Sequence, residues 1–189
     1  MPAFPGIDDD LEQSVGTAPM LQRRRVRQRH SPLSARQRLS SALRGDRLSP
    51  VRLWECEPMD RVSLIRDGVP SVLVKRLASE MRLSVAEASR LAGLAPTTVL
   101  RKLAKQARLN TYQGERVLGL ARLIGQVHAE TCKAGQRRGF HAGRWVAQWL
   151  NSPLPSLSGW RPRDLMDLDV GRELIFAAIA RMVADGRLP

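Results

Sequence analysis

Apolar residues recur at helical spacings of three and four along most of the chain beyond residue 58. One stripe lies in a helix predicted from Asp169 to about Gly186 and comprises Leu174, Ile175, Ala178, Ile179, Met182 and Val183. A second lies in a helix that begins at Asn110 or Thr111 and comprises Val117, Leu118, Leu120, Ala121, Ile124 and Val127, with Arg116 and Arg122 outside it. The pattern therefore predicts an all-α fold.

Two shorter helices precede these stripes, the first from Met59 to Asp67 and the second from Pro70. The inner face of the second is predicted to hold Val72, Leu73, Leu77 and Met81. A capping box, Ser84 with Glu87, then opens a helix that ends at Gly93, and Pro96 opens another that runs to about Ala107. Ser89 lies four residues before the glycine, where two helices touch and only a small side chain fits. Short helix, glycine turn and second helix together indicate a helix-turn-helix.

In this motif the first turn of the second helix enters the major groove of DNA. The exposed side chains expected to reach base edges are Thr97, Thr98, Arg101 and Lys102, and Arg101 is the best candidate for a bidentate contact to guanine. Ser84 and Lys105 suit phosphate contacts. Val99, Leu100 and Leu103 are expected to face inward. The alternative is a helical pair whose basic face is only solvated.

The charge balance also favours a polyanionic partner. Lys and Arg number 31 against 18 Asp and Glu, a net charge of +13. Much of the excess falls in residues 21–53, which hold ten arginines and one aspartate, while residues 1–20 are acidic. We predict that residues 1–58 form a flexible basic N-terminal arm and that ordered structure begins near Pro58. The arm either binds phosphates or is a solvated extension.

Other classes of protein find little support in the sequence. No apolar run approaches the ~18 residues of a membrane span, and the acidic start does not resemble a signal peptide, so we expect a cytoplasmic protein without a membrane partner. Cys56 and Cys132 are far apart and are interpreted as free thiols. His128, Cys132 and His141 form the only candidate metal cluster, but a basic loop adjoins it and a fourth ligand is missing. We therefore predict no metal, no cofactor and no catalytic residue.

The stretch from Trp149 to Gly186 combines a proline-rich connector with a helix and has no arrangement of catalytic groups. A helix that ends with apolar residues drops into a connector containing Pro153, Pro155, Gly159 and Pro162. No acid, base or nucleophile is arranged within it, whereas Trp and Arg are common interface anchors. The pattern favours a protein-binding surface, although the inner face of a helix is the commonest place for Trp145 and Trp149.

From about Arg61 onward the chain resembles the antitoxins of the Xre/ParS/MbcA family, which accompany RES-domain toxins in bacterial type II toxin–antitoxin pairs. Three blocks carry the resemblance: LIRDGVPSVLVKRLASEMRLSVAEASRLAGLAPTTVLRKL, ERVLGLARLI and AQWLNSPLPSLSGWRPRDLMDLDVGRELI. In the third, the family's positions fall on Trp149, Leu150, Pro153, Leu157, Gly159, Pro162, Leu165, Met166 and Gly171. The chain departs from the family at Ser158, where a second glycine is frequent, and at Ala95, where a capping serine is common.

The resemblance implies an Xre-like helix-turn-helix domain at 59–110 and a helical toxin-binding domain at 111–189. It implies a non-enzymatic antitoxin that blocks a RES-domain, NAD-consuming toxin and represses its own operon through operator DNA, as a homodimer or larger assembly. Toxin contacts are expected from Trp149, Leu150, Leu157, Trp160, Arg161, Arg172, Glu173, Arg187 and Leu188. The alternative is a stand-alone helix-turn-helix repressor whose C-terminal domain senses a ligand or a partner.

Overall fold

Helices dominate the structure, a computed structural model that describes residues 48–135 and 139–188. The α-helices in these ranges are α1 (Pro50–Glu55), α2 (Pro58–Arg66), α3 (Val72–Met81), α4 (Val85–Leu91), α5 (Pro96–Ala104), α6 (Thr111–Lys133), α7 (Ala142–Trp149) and α8 (Asp169–Ala184). Two 3-10 turns, Pro155–Leu157 and Pro162–Leu165, lie in the connector between α7 and α8. The predicted all-α fold class is confirmed.

A two-residue β-ladder, which the sequence pattern did not predict, closes the helix-turn-helix region. Strand β1 (Val69–Pro70) pairs antiparallel with β2 (Arg108–Leu109). Because Pro70 belongs to this ladder, α3 begins at Val72 rather than at the proline. The prediction that Val72 faces inward is wrong: its side chain is exposed, and Val74 and Ala78 are buried beside Leu73, Leu77 and Met81 instead.

Helix α6 is the centre of the hydrophobic core. Asn110 caps it by accepting a hydrogen bond from the Gln113 backbone amide at 2.9 Å, and the Gln113 side-chain oxygen accepts one from the Asn110 backbone amide at 3.3 Å. The predicted stripe of six apolar residues on α6 is confirmed, since all six are buried. Helices α1, α2, α3, α7 and α8 all contact α6. The described residues therefore share one core and belong to one compact unit.

Ordered structure begins earlier than the sequence predicted. Ser49 caps α1, and Leu48 and Leu53 are both buried. Helix α1 packs closely on α6 because Gly125 has no side chain, and a Cβ there would collide with the Pro50 carbonyl. The expectation of a flexible arm is therefore wrong for residues 48–57. Residues 1–47, which hold most of the arm, lie outside the described residues.

Helix α8 has nearly the predicted range, but only part of its predicted apolar stripe is buried. Ile175, Ala178 and Ile179 are buried, whereas Leu174 is 46% exposed. Asp169 is the first residue of the helix, and it forms an ion pair with Arg172. Within the described ranges, no helix is both long enough and apolar enough to cross a membrane.

Candidate nucleic-acid and protein interfaces

The start of α4 is fixed by the predicted capping box. The Ser84 hydroxyl accepts a hydrogen bond from the Glu87 amide at 3.1 Å, and the Glu87 carboxylate accepts one from the Ser84 amide at 2.8 Å. The Ser84 hydroxyl also donates to that carboxylate at 2.6 Å. These hydrogen bonds lower the pKa of the Glu87 carboxyl group. The bond from the Ser84 hydroxyl has the largest effect, and the bond from the Ser84 amide adds to it. The box leaves Ser84 exposed, but its amide and its hydroxyl both donate to the Glu87 carboxylate.

The turn between α4 and α5 has the geometry that its residues predicted. Gly93 adopts a φ of +66°, which favours glycine, and the Leu94 amide donates to the Ser89 carbonyl at 2.9 Å. Ser89 is fully buried, and its hydroxyl donates to the Val85 carbonyl at 2.6 Å. Leu94 is buried beneath the turn. The glycine thus permits the tight turn between α4 and α5, and the small serine fits in the buried space beside it.

Helix α5 presents the residues predicted to meet DNA. Thr97, Arg101 and Lys105 are exposed and recur one turn apart, which places them on one face, and Thr98 is partly buried. Val99 on the opposite side is fully buried. Lys102 is partly buried because its ammonium donates to the Arg108 carbonyl at 2.7 Å, so it is less free to reach a base than predicted.

Two features of α5 differ from expectation. Leu100 was predicted to face inward but is 48% exposed, and Leu103 is only partly buried. Val99 is the one residue of α5 that is buried, so the helix packs on the core through a narrower face than predicted. Ala95 occupies the N-cap without a side-chain hydrogen bond, so the orphan amides of the first turn lack that partner.

Arg116 joins the helix-turn-helix to the connector. It was predicted to lie outside the core, yet it is only 8% exposed. Its guanidinium donates to the Gly93 carbonyl at 3.1 Å and to the Asp167 carbonyl, and it stacks over the Tyr112 ring at 4.2 Å. A Cβ at residue 93 would collide with this guanidinium. The periodicity of α6 marks its position as polar but contains no signal for these long-range acceptors.

The tryptophans and leucines at the end of α7 belong to the core. Trp145 and Trp149 stack with ring centroids 5.8 Å apart, and Trp149 is 7% exposed. Leu150 is fully buried, and Leu157 is also buried. This burial corrects the predicted set of toxin contacts, because Trp149, Leu150 and Leu157 are not open to a partner. Large apolar side chains that recur at helical spacing are most often buried in the protein's own core.

The connector holds Trp160 outward. The Leu154 amide donates to the Trp160 carbonyl at 3.1 Å, and the Trp160 amide donates to the Leu157 carbonyl at 2.9 Å. Ser158 and Gly159 both adopt positive φ, at +53° and +81°. Ser158 thus has a left-handed backbone conformation at a position where glycine is frequent in the family that the sequence resembles. The tight loop leaves the Trp160 ring 58% exposed.

The other predicted protein contacts differ in accessibility. Arg161, Glu173 and Arg187 are exposed, and Arg187 pairs with Asp185. Leu188 is partly buried. Arg172 is also partly buried, since it pairs with Asp169 and donates to the Met166 carbonyl at 3.0 Å. Its pKa is lowered, mainly by burial and then by neighbouring Arg116.

Three exposed apolar residues near these contacts were missed. Leu168, Val170 and Leu174 precede or begin α8 with their side chains in solvent. The sequence pattern had placed Leu174 in the buried stripe of α8 with Ile175, Ala178 and Ile179, so its exposure was not predicted. Together with Trp160 they give the C-terminal part of the chain several exposed apolar groups, which suit a protein partner.

The candidate metal cluster of His128, Cys132 and His141 is not assembled in the part of the chain that the structure describes. His128 and Cys132 lie one turn apart on α6, and their Nε2 and Sγ atoms are 3.5 Å apart. In residues 48–135 and 139–188, however, no three His, Cys, Asp or Glu side chains converge as metal ligands would.

The geometry defines a helix-turn-helix protein with an exposed reading face. Residues 60–122 match the family described as the antitoxin Xre-like helix-turn-helix domain. The chain is also 35% identical over 130 residues to the protein named Prs ADP-ribosylating antitoxin of Sphingobium sp. (strain YBL2), a match that covers 69% of this chain and 82% of the relative. The chain belongs to the family of antitoxins with an Xre-like helix-turn-helix domain. The predicted family resemblance is thereby confirmed.

Proposed function

We propose that this antitoxin neutralises a RES-domain toxin and represses the operon that encodes both proteins. The toxin half of the proposal rests on one structural observation: Trp160 is displayed to solvent on a loop fixed by backbone hydrogen bonds. A large, preorganised aromatic side chain is a typical interface anchor, since it loses little freedom on binding.

The proposed toxin surface comprises the accessible members of the predicted set. Trp160 and Arg161 contribute from the connector, Glu173 from α8, and Arg187 with Leu188 from the C-terminal tail. The relative's name refers to ADP-ribosylation, a reaction that consumes NAD, and this supports the proposal that the partner is an NAD-consuming toxin. We propose that the antitoxin obstructs this toxin by fit in the cytoplasm and performs no catalysis itself.

The proposed DNA surface is the outer face of α5. Arg101 would contact a guanine edge, Thr97 and Thr98 neighbouring bases, and the exposed Leu100 a thymine methyl group. Ser84 and Lys105 would contact phosphates. A homodimer or a larger complex would present two such helices to the two halves of an operator.

We also propose that residues 59–110 bind DNA and residues 111–189 bind the toxin. The two segments are functional parts and not separate folding units, because they share one hydrophobic core. Ile175 and Ile179 of α8 are fully buried, and Asp167 accepts a hydrogen bond from Arg116 of α6. A truncation after Ser152 would therefore damage both parts. Point substitutions on the two surfaces separate the functions more cleanly.

Co-expression tests the proposal. The chain is produced together with the RES-domain protein encoded by a neighbouring reading frame, and the complex is purified through a tag on the toxin. Stoichiometric co-purification is expected from the full chain and from an Arg101→Ala variant. Absence of a neighbouring RES frame, or failure of the two proteins to associate, would favour a stand-alone repressor instead.

A further inference from the structure

A groove of about 600 Å³ lies between α2, α6 and α8. Its apolar wall includes Val62 and Ile65 of α2 and Phe176 of α8, and its charged wall includes Arg122 of α6. Val62 and the neighbouring Met59 are exposed at the α2 side. The groove is thus part apolar and part charged, since three arginines and three carboxylates line it, and the described residues leave it open.

Arg122 is the unusual member of this groove. Its guanidinium stacks on the Phe176 ring at 4.8 Å, and its Nε is buried without a hydrogen-bond acceptor. In the described ranges we find no ion pair for it. Its pKa is lowered, chiefly because burial penalises the charged form and also because Arg61 lies nearby. A buried donor without an acceptor and with a like charge beside it carries a free-energy cost that a ligand can remove.

The neighbouring charges are already engaged or lie elsewhere along the groove. Arg61 donates to the Cys56 carbonyl, and Arg172 pairs with Asp169. Glu115 also lines the groove and lies near Arg172, where its negative charge only partly offsets the lowering of the Arg172 pKa by burial. These contacts leave Arg122 as the guanidinium without an acceptor.

We propose that this groove receives an Asp or Glu side chain of the RES toxin, with its carboxylate bound to Arg122 and a flanking apolar residue packed on Val62 and Phe176. This inference rests on the proposed function and extends its toxin surface from α8 to α2. A carboxylate matches the fork of guanidinium donors and compensates its charge. An extended nucleic-acid backbone fits poorly, because three carboxylates balance the three arginines that line the groove, and Arg122 offers a binding site for a single anionic group.

The geometry offers a matched pair of variants. Val62 and Val72 are both exposed valines, 36% and 42% accessible, and both lie on helices, but only Val62 lines the groove. Val62→Glu would place a carboxylate of the chain itself beside Arg122 and narrow the groove. Val72→Glu introduces the same charge on α3, away from the groove. Arg122→Gln removes the guanidinium, and Arg122→Lys retains the charge.

Calorimetric titration of the purified full-length chain with the RES toxin provides the measurement. We expect Val62→Glu and Arg122→Gln each to weaken binding by about tenfold or more, Val72→Glu to stay within about twofold, and Arg122→Lys to be intermediate. Wild-type affinity in Val62→Glu would overturn the inference while leaving the proposed function intact, even if Arg122→Gln failed to fold. Loss of self-association without loss of toxin affinity would identify a second copy as the occupant and also overturn it. Failure of the wild-type chain to bind would remove both proposals.

Discussion

The guanidinium of Arg116 donates to the carbonyl of Gly93 at 3.1 Å, across a separation of 23 residues. The same guanidinium donates to the Asp167 carbonyl, 51 residues further along the chain. One side chain on α6 therefore holds the turn that orients α5 and the segment that leads into α8.

Replacement of Arg116 by methionine should destabilise the protein by about 2–4 kcal/mol, because two carbonyl groups lose a charged donor in a partly buried site. Arg116→Lys should rescue this only in part, since a single ammonium cannot reproduce the planar fork. Urea denaturation measures the effect. Arg144→Met on the exposed face of α7 serves as the control. Equal stability of the two methionine variants would contradict the bridging role.

Substitution of Arg101 by alanine should weaken operator binding by about 1–3 kcal/mol and relax base preference at one position in each half-site. The reason is its exposure on the face of α5 that also carries Thr97 and Lys105. Gel-shift titration against the promoter and against single-base variants measures both effects. Arg181→Ala, an exposed arginine on α8, controls for net charge. An unchanged base preference would show that Arg101 does not read the sequence.

The two tryptophans near the connector should respond in opposite ways. Trp149→Ala should lower the free energy of unfolding by about 3–5 kcal/mol, because it removes a large buried ring. Trp160→Ala should change stability by less than about 1 kcal/mol and weaken toxin binding by about 2 kcal/mol or more. Thermal denaturation and toxin titration separate the two results. A large loss of stability in Trp160→Ala would mean that its ring supports the fold instead.

The boundary of the N-terminal extension can be tested by two deletions. Removal of residues 1–47 eliminates nine arginines and should reduce the salt dependence of DNA binding without changing base preference. Removal of residues 1–53 also deletes Leu48 and Leu53, which are buried, and should lower stability by several kcal/mol. Binding isotherms at several salt concentrations and urea melts distinguish the two. Identical stability would argue against the packing of α1 on α6.

Local signals in the sequence predicted much of this architecture. The Ser84–Glu87 box, the positive φ of Gly93 and the buried Ser89 all follow from short-range chemistry, and the structure confirms them. The core stripe of α6 was predicted for the same reason, since helical periodicity reports burial directly. The outward position of Trp160 followed from its place in a proline- and glycine-rich loop.

The errors arose where distant segments decide a residue's environment. Arg116 appears polar within its helix, but its acceptors come from Gly93 and Asp167. Helix α1 has six residues, too few for periodicity, and it is held by the close approach that Gly125 allows. Trp149 and Leu150 are residue types that could anchor an interface, but both are buried in the hydrophobic core. In each case the missing information was which surface another part of the chain covers.

Growth of cells that express the RES toxin tests the central claim most directly. The toxin is induced together with the wild-type chain, Arg101→Ala or Trp160→Ala, at matched antitoxin levels. If Trp160 anchors the toxin, the wild type and Arg101→Ala restore growth, whereas Trp160→Ala does not, although it still represses a promoter reporter. Full rescue by Trp160→Ala, or no rescue by the wild type, would contradict this claim.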